Sequence, residues 1–370
     1  MSASPQRDRR AHRLLMGLLA VEALDEVVCA LQGAAWPLIR TDLHLTYTDI
    51  GLLLTVPAIF SNIVEPPMAA LSDQGRRHLI IALGGLAFAG ATWAIGAAHS
   101  MASLMAAMLL FYPASGAFVG LGQTAMIEAT GQNHEAWMVR WTVAGSLGVV
   151  LGPVLLSVAL AGGGSWRWPF VALGAAALLL AGWTWRHSPP SPKRTQTAKT
   201  TPATWRQMLG NAAMAISKRD VLRWLVLLTV ADLVLEQLVT FAPLYMVDVV
   251  GVQETTAALV LAAMTTAALG TEATLIAVLK RIDGLTWMRW TAPVVLASIA
   301  ALLLGPWLPL KIAALLLIGA ASAGWYAILQ ARLYQSLPGQ PGMIMAIAGI
   351  FALLGDLTPV AMGALAKHWA

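Results

Sequence analysis

The sequence predicts an all-α integral membrane protein made of two parallel helical repeats, on three observations. Of its 370 residues 58% are hydrophobic and 11% charged, with a mean hydropathy of +0.71, whereas soluble domains carry about 25% charged residues. The apolar residues come in runs of about 20, the length that crosses a hydrocarbon core as a helix. The second half repeats the first at an offset of 206 residues: Glu26 precedes Pro37 and Leu38 as Asp232 precedes Pro243 and Leu244, and Pro153 falls on Pro359.

Eleven spans are expected, at about 14–39, 48–71, 78–98, 101–128, 138–161, 166–186, 221–246, 255–280, 287–307, 310–334 and 342–365. Arg7, Arg9, Arg10 and Arg13 precede the first. Later basic residues sit in alternate loops: Arg76 and Arg77, eight Lys or Arg from Arg186 to Arg223, then Lys280, Arg281 and Arg289. Positive charge marks cytoplasmic loops, so a multi-pass cell-membrane protein (inner or plasma membrane) with a cytoplasmic N-terminus is expected. The first span is too long and too acidic for a cleaved signal peptide. Six spans (residues 1–186) precede a Ser-Pro-Pro-Ser-Pro-Lys-Arg stretch that reads as a cytoplasmic linker, 187–220, and five follow in 221–370. A six-plus-six duplication demands a twelfth span, so truncation is expected.

The acids inside the spans are the unusual feature, since a charge at the centre of a membrane helix costs roughly 2.5–3.5 kcal/mol on insertion scales. Glu22, Asp25 and Glu26 are spaced to share one helix face, and that face cannot point at lipid. Asp232 and Glu236 repeat the device in the seventh span. Glu65 stands before Pro66 and Pro67, Glu272 is nearly equivalent to it, and Asp356 follows Gly355 in the eleventh span. Desolvation favours the neutral form of a carboxylic acid, so such groups are suited to load and release protons. Glu128 and Arg140 flank one loop and either form a neighbouring pair or stand apart at a solvated loop edge. Cys29 reads as a small packing residue, Trp36, Trp166 and Trp168 as members of aromatic belts, and Trp141 or Trp325 as platforms for an aromatic or cationic ligand.

Two stretches carry a family resemblance. The segment Ala70-Leu71-Ser72-Asp73-Gln74-Gly75-Arg76-Arg77 resembles the signature that major facilitator transporters carry after their second span, and Leu279 to Gly284 is a degenerate echo. Gly145, Gly148, Gly152 and Pro153 resemble the antiporter motif of drug-efflux members; glycines at four-residue spacing also let helix backbones approach. The first-span acids, Thr-Tyr-Thr-Asp49-Ile-Gly51 and Gly120-Leu-Gly122 are most similar to fosmidomycin-resistance exporters. The resemblance implies the major facilitator fold, with halves related by an axis along the membrane normal. It also implies a gating role for Asp73, Gly75, Arg76, Arg77, Gly148, Gly152 and Pro153. The arginine that drug–proton antiporters commonly carry in span four is absent from Phe111 to Met126.

No nucleotide-binding loop and no metal-ligand spacing of His appear, so no cofactor, no metal and no catalytic residues are expected. The expected activity is proton-coupled secondary transport, with efflux of a small, cationic or amphipathic organic molecule by alternating access through Asp25, Glu26, Asp232, Glu236, Glu22, Asp356 and Glu65. A proton symporter importing a metabolite and a transport-inactive sensor are the alternatives. The expected partners are the substrate, protons and the lipid bilayer, with no nucleic acid; the chain is expected to act as a monomer.

Overall fold

The computed structural model describes residues 5–130, 134–188, 218–336, 351, 353 and 355–369, and they are helical with short turns. In order they form α1 (Pro5–Asp42), α2 (Tyr47–Leu71), α3 (Arg77–Gly96), α4 (Met101–Ser115), α5 (Leu121–Thr130), α6 (His134–Ala161) and α7 (Arg167–His187). Then come α8 (Arg219–Asp248), α9 (Glu254–Leu279), α10 (Gly284–Leu304), α11 (Leu308–Ser322), α12 (Trp325–Ser336) and α13 (Thr358–Trp369). Among the described residues nine helical stretches are long and apolar enough to cross a membrane. The expected first span lies within α1, which the three carboxylates at its middle set apart from those nine. Much of the expected eleventh span lies outside the described residues.

Two expected spans are interrupted. A π turn over Gly116–Gly120 joins α4 to α5, and Ala323 and Gly324 (φ +77°) separate α11 from α12. The stretch after α2, read from sequence as a loop, is a second π turn over Ser72–Arg76 in which Gly75 has φ +87°, a left-handed conformation that costs glycine little. Capping follows the sequence more closely. Thr46 accepts from the Asp49 amide at 3.2 Å and its own amide donates to the Asp49 carboxylate at 2.8 Å, fixing the start of α2.

The chain divides into two compact units. The first contains α1–α7 and takes in α13 from Pro359 onward; the second contains α8–α12. In the first, α1 packs chiefly on α6, α3 on α7 and α4, and α2 on α4. Phe88 is the hub of an aromatic core, with ring centroids 4.8 Å from Phe111 and 6.0 Å from Phe118. Trp36, expected in an aromatic belt, is fully buried here because the close approach of α1 to its neighbours encloses it. In the second unit α11 packs on α9 and α10, and α12 on α8. The outward surfaces are apolar: Leu179 is 75% and Leu304 83% exposed, as lipid contact requires. Cys29 is exposed rather than packed.

At the far end of α1, the Arg167 guanidinium joins the Asp42 carboxylate to the Ala98 carbonyl, and the Trp166 indole N–H donates to Asp42 at 3.2 Å. Burial pushes the Asp42 carboxyl up, but these donors outweigh it and hold the group below the usual carboxylate range. A lowered folded-state value means that the pair adds stability above the ordinary carboxylate range and loses it as pH falls through the folded value. Asp42→Asn should therefore lower the melting temperature at pH 7, with the difference from the parent closing below about pH 4. The pair is half-exposed and water screens it, so the effect should be below about 1 kcal/mol.

Candidate functional site

The three carboxylates of α1 occupy a face built by α6 and α4. Along α6 the glycine ladder lies against α1. A Cβ at Gly145 would stand 2.8 Å from the Glu22 carboxylate, one at Gly148 would strike the Ala23 carbonyl and lie 2.7 Å from the Glu26 Cβ, and one at Gly152 would lie 2.5 Å from the Leu31 amide nitrogen. These glycines thus bring the backbone of α6 onto the acid-bearing helix. Trp141, one turn before Gly145, is buried, so an open ligand platform is not its arrangement here.

On the α4 side the Ser115 hydroxyl donates to Asp25 at 2.9 Å. Glu65 of α2 accepts from Ser61 at 2.7 Å and rests against the next residue, Gly116, where a Cβ would come within 2.7 Å of the Glu65 carboxyl carbon. Two carboxylates from different helices thus meet consecutive residues, the last of α4 and the first of the π turn, a distortion frequent at functional sites. Glu22, Asp25, Glu26 and Glu65 are all half-buried, and among the described residues no Lys or Arg pairs with any of them. Gly116→Ala should push Glu65 off α4 while leaving the Asp25–Ser115 contact in place. The expected result is a transport rate reduced several-fold, with the parent rate kept in Ser61→Thr, which retains the hydroxyl.

The second unit assembles less of the expected site. The side chain of Asp232 lies outside the described residues, Glu236 is exposed on α8, Glu272 is half-buried on α9, and Asp356 is half-buried in the turn before α13. Beside Glu236, Gln237 is buried with its Oε1 unpartnered. Trp325, the other expected platform, is also buried and donates to Thr291 at 2.9 Å. The sequence flags nothing at Lys311, yet its buried ammonium bonds to the Tyr245 hydroxyl at 2.7 Å and the Leu302 carbonyl at 2.6 Å, binding α8, α10 and α11 together.

The expected gating residues cluster in part. Arg76 is exposed, Arg77 is buried and pairs with Glu128, and the Asp73 side chain lies outside the described residues. Of the two readings for Glu128 and Arg140, pairing is not the one found: the fold brings α3 and α5 together across 51 residues, while Arg140 stacks on Trp137 at 4.5 Å. Asp283, at the position that the 206-residue offset assigns to Arg77, pairs with Arg332 with the charges exchanged. Gly148, Gly152 and Pro153 all lie within α6.

Among the described residues no cluster of His, Cys, Asp or Glu could hold a metal ion. Comparison with known proteins agrees with a transporter. The model of the Major Facilitator Superfamily matches residues 18–357. The fosmidomycin resistance protein of Escherichia coli K12 is 23% identical over 182 residues, 49% of this chain and 45% of that protein, so the match spans less than half of the relative's length. Among solved structures, a bacterial homologue of the human lysosomal transporter Spinster, inward-facing and unoccupied, superposes with a TM-score of 0.71 at 17% identity, over 98% of this chain and 82% of that one. The nucleoside transporter NupG gives 0.74 at 13% identity, over 96% and 92%. These likenesses establish the fold, and with the match along almost the whole sequence they make this chain a member of the Major Facilitator Superfamily, a membrane transporter and not an enzyme.

Proposed function

We propose that this transporter is coupled to protons and exports a small organic molecule, cationic or amphipathic, across the cell membrane. The observation that carries the reading is the half-buried quartet Glu22, Asp25, Glu26 and Glu65, which has no described cationic partner. Carboxylates enclosed between helices without counter-charge favour either a proton or a cation, and alternating exposure to the two sides turns that preference into coupling. Asp25, Glu26 and Glu65 are the proton carriers in this reading, Asp25 and Glu65 each held by a serine hydroxyl. Glu22 adds negative charge beside them that favours positive charge in the substrate, and in the second unit Asp232, Glu236 and Asp356 are assigned the same role. The outward direction draws its support from the fosmidomycin resistance protein, whose name describes resistance.

In the same reading residues 1–186 and 221–370 are the two moving halves, joined by 187–220, with the N-terminus in the cytoplasm and a single chain as the working unit. Asp73, Gly75, Arg76 and Arg77 bias the equilibrium between states, the Arg77–Glu128 pair stabilising one of them. Gly148, Gly152 and Pro153 set the α1–α6 contact on which the acids depend.

The test uses everted vesicles and a compound first found by comparing growth inhibition of expressing and non-expressing cells. Vesicles acidified inside should accumulate that compound. Accumulation only with the opposite gradient would establish a symporter instead, and accumulation under neither gradient would establish a protein without transport activity.

A further inference from the structure

The three helices that meet where α1 begins carry a feature the transport reading does not use. Gly17 of α1 lets the Trp183 indole of α7 lie against the helix: a Cβ there would come within 2.6 Å of the ring, and the indole N–H donates to the Arg13 carbonyl at 3.1 Å. On the other flank of α1, His12 makes an edge contact with Trp137 of α6 at 6.2 Å, and the Arg140 guanidinium lies over the same indole at 4.5 Å. Two indoles therefore bracket the end of α1, with Arg13 and Arg140 both exposed beside them and, among the described residues, neither paired with a carboxylate. Toward the middle of the bundle the same surface turns apolar, with Met16 49% and Val143 48% exposed.

A face with two guanidinium groups at its end, indoles at the boundary and bare aliphatic surface beyond has the polarity of a phospholipid laid along it. Arginine forks match phosphate oxygens, and tryptophan rings settle at the headgroup level. We propose that the α6–α1–α7 face binds an anionic phospholipid of the leaflet in which α1 begins, its phosphate held by Arg13 and Arg140 and its acyl chains along Met16 and Val143. Free phosphate offers the same oxygens to the arginines but nothing to the aliphatic surface, and a zwitterionic lipid offers the chains without net charge.

The test is lipid binding by the purified full-length chain, followed by native mass spectrometry and by melting temperature. The probes are dioleoyl phosphatidylglycerol, dioleoyl phosphatidylcholine and inorganic phosphate. Phosphatidylglycerol should bind and raise the melting temperature. Arg13→Gln or Arg140→Gln should weaken it about fivefold each, as expected from roughly 1 kcal/mol per basic residue at a membrane surface, while the double lysine variant R13K/R140K keeps binding within about twofold. Either single variant suffices should the double glutamine variant fail to fold. Equal phosphatidylglycerol affinity in the parent and the glutamine variants would overturn the proposal, as would phosphatidylcholine binding as tightly, or inorganic phosphate displacing the lipid at equal concentration.

Discussion

Asp25→Asn combined with Glu26→Gln is expected to leave the protein inserted and folded while gradient-driven accumulation in everted vesicles falls to the level of vesicles lacking it. The amides have nearly the shape of the acids, and the Ser115 hydroxyl that donates to Asp25 at 2.9 Å can donate equally to an asparagine oxygen. Removing charge from the middle of α1 eases insertion, so a folding defect is not the expected cause. What the amides lack is a site at which a proton can be gained and lost. Exchange of labelled for unlabelled compound across the membrane, which needs no net proton movement, should persist. Parent-level accumulation by the double variant would show that these two acids do not couple the cycle; loss of exchange as well would place them in substrate binding instead.

Gly148→Val is expected to destabilise the first unit. The new Cβ meets the Ala23 carbonyl and the Glu26 Cβ of α1, and neither can move without displacing that helix. Overpacking of this kind costs about 1–3 kcal/mol, which in a unit of this size lowers the melting temperature by about 2–12 °C. Gly182→Ala is the control. Nothing lies within 4 Å of a Cβ there, and alanine is the better helix former, so the melting temperature should hold or rise slightly. Transport by Gly148→Val should fall together with stability, because Glu22 and Glu26 are set by the same contact.

The parts of this site legible in the sequence are those whose chemistry is costly in a membrane. Three carboxylates in an apolar run and glycines at four-residue spacing both stand out against their surroundings, and the structure places them against each other. The π turn at Gly116 was not legible, because a shift of one hydrogen bond in a helix ladder leaves no mark on composition. Ser61 and Ser115 were hidden by the ordinariness of serine. The Arg77–Glu128 pair was not legible, because closeness in sequence offers only Arg140, whereas the true partner arrives through the packing of α3 on the end of α5. Lys311 sits near the start of a span and reads as a flanking charge; only the fold shows that it is enclosed by Tyr245 and the end of α10. The architecture was more legible than the site, since apolar run length fixes the helices almost directly.

The place of α13 has a consequence for biosynthesis. Gly363 lies against the Tyr47 carbonyl group, Gly51 lies against Pro359 and Val360, and the Thr48 hydroxyl donates to the Gly363 carbonyl at 3.4 Å. The partners in that last contact are 315 residues apart. At a synthesis rate of about 5–20 residues per second, the small-residue face of α2 waits roughly 16–60 s for its partner to emerge from the ribosome. During that interval a nascent chain holding α1–α7 exposes a groove ready to accept another helix, so the membrane insertion machinery has to shelter it. Ribosome-stalled chains ending before Pro359 should therefore crosslink to insertion factors from a cysteine placed at Thr48, and chains long enough to present α13 should release them.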